Sequence, residues 1–187
     1  FILKIMLQNL FAVILVGGFP VLYSYFLLSR ESPDTHEILM NNLQGTIWFT
    51  WLGSMALTVI SYFILAYTFI WSNGTFYGVT SKDFEPYLCT TYVLFLASAS
   101  HWSYHVLLDI CNSQKSIWHR MNLYATACLS IMLCIFAFGV DDIDDTLALC
   151  TQISGVILAF HHVVFDAGYY FYTWKPIYSS VDNVIIP

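Results

Sequence analysis

The stretch IWFTWLGSMALTVISYFILAYTFIW, residues 47–71, decides the fold class, because it runs 25 residues without an Asp, Glu, Lys or Arg. A helix rises 1.5 Å per residue, so about 20 apolar residues cross the ~30 Å of hydrocarbon in a bilayer. This stretch is long enough to span. Four others of similar character lie at about 10–28, 87–110, 123–140 and 147–174. The expected fold is therefore an all-α integral membrane protein, a bundle of about five transmembrane helices.

Composition points the same way. Of 187 residues, 58% are hydrophobic and only 10% charged, against roughly 25% charged in a soluble domain. Six Lys plus Arg face twelve Asp plus Glu, a formal net charge of −6. Without a basic surface, nucleic acid is excluded as a partner; membrane lipids and other transmembrane subunits are the partners to expect. Phe1 stands first in place of Met, which leads us to expect chain upstream of it.

The joints between spans carry loop punctuation: SRESPDTHE (29–37), SNGTFYGVTSKDFEP (72–86), NSQKSIWHR (112–120) and DDIDD (141–145). Connections this short make neighbouring spans antiparallel. We expect one transmembrane domain over 1–176 and a polar tail over 177–187. Arg30, Lys115, Arg120 and Lys175 share one face, whereas Lys4 and Lys82 share the other with Asp83, Glu85 and the four aspartates of DDIDD. The positive-inside bias makes the first face cytoplasmic, or the matrix or stroma side in an organelle. The sequon Asn73-Gly74-Thr75 falls on the opposite face as a glycosylation candidate set close against the second span. Whether the membrane is the plasma membrane, an endomembrane or an organelle inner membrane is open at this point.

Cys89, Cys111, Cys128, Cys134 and Cys150 lie in or beside apolar runs, where cysteine behaves as a small hydrophobe. Of these, Cys89 and Cys150 are the pair expected at a common end of the bundle. Thr46, Thr50, Gly53, Ser54, Thr58, Ser61 and Thr68 line one side of the second span, the pattern of a helix-packing rail. DDIDD lacks the glycine and distal glutamate of a calcium loop and reads as a solvated acidic turn. His36 and His119 fall in loops and read as surface residues.

The chemistry-bearing residues are in the third and fifth spans. SHWSYHVLLD (100–109) brings His101, His105 and Asp109 to one stripe, and HVVFD (162–166) repeats the ending with His162 and Asp166. His161 points about 100° away from His162 on an α-helix. Each ionisable residue in a span costs roughly 2.5–3.5 kcal/mol even on a lenient insertion scale, so these groups should face protein or water. Both His-x-x-x-Asp pairs are expected at similar depth near the cytoplasmic end, with His105 and His162 turned inward.

Three readings of the stripes are open. A histidine can bond an aspartate one turn on and simply join helices. The same groups suit a proton or ion route. His101, His105 and His162 could also ligate zinc or b-type haem. No nucleophile elbow, P-loop or dinucleotide fingerprint is present. The expected function is a non-catalytic, accessory subunit of a larger membrane complex, with proton or ion transport or redox chemistry at the His/Asp cluster as the alternative.

Overall fold

The computed structural model describes residues 18–21, 23, 46–71, 75–112 and 116–170. The first span falls almost wholly outside the described residues, as do Asn73 and the tail. Helix α1 covers Thr46–Trp71, α2 Ser81–Asn112, α3 Ile117–Phe138 and α4 Asp145–Phe160. The last continues as a π-helical segment, His161–Tyr170. Among the described residues, three stretches are long and apolar enough to cross a membrane: Phe49–Ile70, Ile117–Phe138 and Asp145–Tyr169.

Local chemistry sets the helix starts. The Ser116 hydroxyl accepts from Trp118 N at 3.1 Å and begins α3 six residues before the apolar run. This draws Trp118, His119 and Arg120 into helix, where the sequence suggests a loop. In DDIDD, the Asp144 carboxylate accepts from Thr146 N and Leu147 N and caps α4.

Three two-residue strands close one end of the bundle. Thr75–Phe76 (β1) lies between Val79–Thr80 (β2) and Val140–Asp141 (β3), antiparallel to both. Tyr77 and Gly78 turn the hairpin with φ of 52° and 72°, the paired positive values of a type I′ turn, whose twist matches that of the strands. The β1–β3 pairing puts the α1–α2 and α3–α4 connections at the same end, as an antiparallel order of spans requires. Tyr77 ties them further: its N–H donates to Gly139 O at 2.7 Å and its hydroxyl to Ile135 O. A Cβ on Gly139 would stand 2.1 Å from the Tyr77 ring, so any other residue there displaces the ring.

Helix α4 packs on both α1 and α3, and α3 on α2. Gly155 allows the closest approach, since a Cβ there would lie 2.9 Å from Ala137 Cβ and 3.0 Å from Cys134 Cα. Helices α1 and α2 meet through aromatic rings: Tyr92 stands edge-on to Tyr62 and Phe69 at centroid distances of 5.9 and 6.2 Å. Leu65, Phe76, Leu88, Leu133 and Leu158 complete this core. Outward faces are apolar as well, with Phe49, Phe63, Phe138 and Phe160 all more than half exposed. Such a surface suits a solvent of acyl chains.

Candidate functional site

The packing rail of α1 divides along its length. Thr46, Thr50 and Gly53 are exposed, whereas Ser54, Thr58, Ser61 and Thr68 turn towards the interior. Two hydrogen bonds stitch this face to α4: Thr68 to Thr151 between hydroxyls at 2.8 Å, and Ser54 Oγ to His161 Nδ1 at 2.9 Å. Thr58 and Thr151 also donate back to their own helices, to Ser54 O and Leu147 O.

At the Ser54 end the α4 backbone changes period. In a π-helix the hydrogen bonds run from i to i+5, so residues four and five apart are both neighbours on one face. Asp166 therefore sits under two adjacent histidines at once. His161 Nε2 lies 3.6 Å from Asp166 Oδ1, and His162 Nε2 lies 4.0 Å from Oδ2. The side chains of His161, His162 and Asp166 are 6%, 10% and 20% exposed, so the carboxylate is the part of the cluster nearest to solvent.

Each imidazole has its other nitrogen engaged. His161 Nδ1 meets Ser54, and His162 Nδ1–H donates to Leu158 O at 2.8 Å. Trp51, one turn before Ser54, is buried beside His161 with ring centroids 6.3 Å apart. From α2, Phe95 presents its ring edge-on to His162 at 5.2 Å. Three helices thus enclose a carboxylate with two imidazoles, a hydroxyl and an indole.

The histidines of α2 stand elsewhere. His101 is exposed and donates from Nδ1 to Ala97 O, one turn back, at 2.7 Å. His105 is half-buried and faces His119 of α3, with ring centroids 6.1 Å apart and planes 13° from parallel. His119 is buried, because the Ser116 cap turns it into the α2–α3 interface. Asp109 lies within α2, and its side chain is outside the described residues. Since Phe95 is level with His162 and His105 lies ten residues further along, the two histidine groups are separated by about 15 Å of helix. The similar depth expected from the sequence is not what the helices adopt. They leave the strand-capped end together, but His105 sits further along α2 than His162 along α4.

His101, His105 and His162 are therefore not brought to one point. Among the described residues no group of three or more His, Cys, Asp or Glu side chains is arranged to hold a metal ion. With both Nδ1 atoms engaged and both Nε2 atoms facing Asp166, His161 and His162 do not offer the outward-directed nitrogens that zinc or haem requires. Cys89, Cys128, Cys134 and Cys150 are free thiols.

Two residues of the cluster escape a reading based on the α-helical wheel. His161 is displaced by 100° on that wheel, and only the change of period returns it to the face of Asp166. Ser54 reads as one hydroxyl among seven small residues, and its partner is fixed by tertiary packing. No protein-family model, curated protein or solved structure matches this chain.

Proposed function

We propose that this chain is a multi-pass membrane protein of about five spans, built around a proton-transfer centre of His161, His162 and Asp166. One observation carries the reading: two imidazole nitrogens converge on the two oxygens of a single half-buried carboxylate. An acid and bases held this way exchange a proton through small motions. Placing them in a span is expensive, which is why ionisable residues there so often mark proton and ion pathways. The π-helical turn supports the same reading, since such irregularities concentrate at functional sites.

The test is a titration of the histidine side chains by nitrogen-15 NMR in nanodiscs. Asp166→Asn should move the titrations of His161 and His162 together and leave that of His101 in place. Unmoved titrations of His161 and His162 would remove the centre.

A second reading, an accessory subunit of a larger membrane complex, draws on the exposed aromatic faces of α1 and α4, including Phe63 and Phe160. Co-purification with other membrane subunits in a fixed ratio would support it. Migration as a lone chain after mild extraction would count against it.

A further inference from the structure

We propose that Ser54 is a nucleophile, with His161 as its base and Asp166 as the group that orients the base, and that the site transfers the acyl group of an ester-bearing membrane lipid. This rests on the proton-transfer reading of the cluster and names the proton that moves, that of the Ser54 hydroxyl.

The geometry follows the logic of an activated hydroxyl: nucleophile within hydrogen-bond reach of a base, and the base held on its far side by a third group. Ser54 Oγ stands 2.9 Å from His161 Nδ1, and the opposite nitrogen of the same ring stands 3.6 Å from Asp166 Oδ1. The carboxylate is itself steadied by His162 beside its second oxygen.

Position and access favour a lipid. Ser54 is half-buried, not sealed. Beside it Gly53 is exposed, with nothing within 4 Å of where its Cβ would be, and Leu52 and Leu57 are exposed on the same helix. The apolar window of α1 begins at Phe49, which sets Ser54 roughly 8 Å below the edge of the hydrocarbon at 1.5 Å per residue. Lipid esters lie at that edge, so a substrate ester reaches Ser54 by descending about 8 Å along the open Gly53 side of α1.

In the first step the Ser54 oxygen bonds to the acyl carbonyl carbon and its proton passes to His161 Nδ1. Collapse of the tetrahedral intermediate breaks the ester C–O bond, and His161 returns the proton to the departing alcohol. Water then attacks the acyl-serine with the same base, releasing the fatty acid and restoring the hydroxyl. Water approaches from the exposed side of Asp166.

The experiment uses the full chain in phosphatidylcholine nanodiscs, a long-chain alkyl fluorophosphonate as probe, and peptide mass spectrometry. The expected result is an adduct on Ser54, absent in Ser54→Ala and formed at least about 100-fold more slowly in His161→Gln, the scale of a lost general base. Fatty-acid release from the nanodiscs should fall in parallel, and monodisperse elution of both variants shows that they fold. An unlabelled Ser54, or labelling indifferent to His161→Gln, overturns the proposal. If the histidine titrations still respond to Asp166→Asn in that case, the proton-transfer centre survives and only the nucleophile falls; if they do not, both fall.

Discussion

The α1–α4 and α2–α3 seams use the same kinds of side chain to different ends. Between α2 and α3, Ser98 and Asn122 exchange bonds in both directions: Asn122 Nδ2 donates to Ser98 O at 2.9 Å, and Ser98 Oγ donates to Asn122 O and Oδ1 at 3.1 Å. Thr126 closes the group by donating to Asn122 O. Both helices are regular there, every partner is neutral, and the result is a join. Between α1 and α4, the hydroxyls lead to a carboxylate under two imidazoles, at the point where the helix loses its regular period. Polar residues between helices thus differ in role according to whether they satisfy one another or converge on a titratable group.

Four experiments would break or sharpen this contrast. The largest effect is expected from Asp166→Asn, which should uncouple His161 and His162 and slow fluorophosphonate labelling of Ser54 by at least about 10-fold, leaving monodispersity intact. Next comes Gly155→Leu, which drives a side chain into Ala137 and the Cys134 backbone; overpacking of this kind costs about 1–3 kcal/mol, read as a lower thermal midpoint in detergent. Asn122→Ala should cost about 1–2 kcal/mol by removing the Asn122 Nδ2 donor to Ser98 O and the Oδ1 acceptor for Ser98 Oγ, and should leave the histidine titrations unmoved, since it belongs to the join. The smallest term is the Thr68–Thr151 bond. A double-mutant cycle with valine at each position should return a coupling of about 0.6 kcal/mol, the usual size for a hydrogen bond between spans.

Sequence made the helices legible because a helix that is apolar on its outward as well as its inward face leaves a long uncharged run, whatever it packs against. The run at residues 47–71 anticipates α1 to within one residue. Helix ends were harder, because a cap is one side chain: Ser116 moves the start of α3 from 123 to Ile117 and takes His119 out of solvent. The strand cap is harder still, as two-residue strands have no periodicity to detect. Of the site, His162 and Asp166 were visible as a charged pair one turn apart. His161 was not, because a wheel of fixed period cannot register a change of period. Ser54 needed the partner helix.

One consequence of the strand cap concerns the order of assembly. Strand β1 is made soon after α1, but its second neighbour, β3, is not synthesised until α3 is complete. The Tyr77 ring likewise waits for Gly139. Closure of this latch therefore waits until the chain has been made through Asp141. Once shut, it ties the strand end, leaving His161, His162 and Asp166 at the end of the bundle that has no such strand pairing among the described residues.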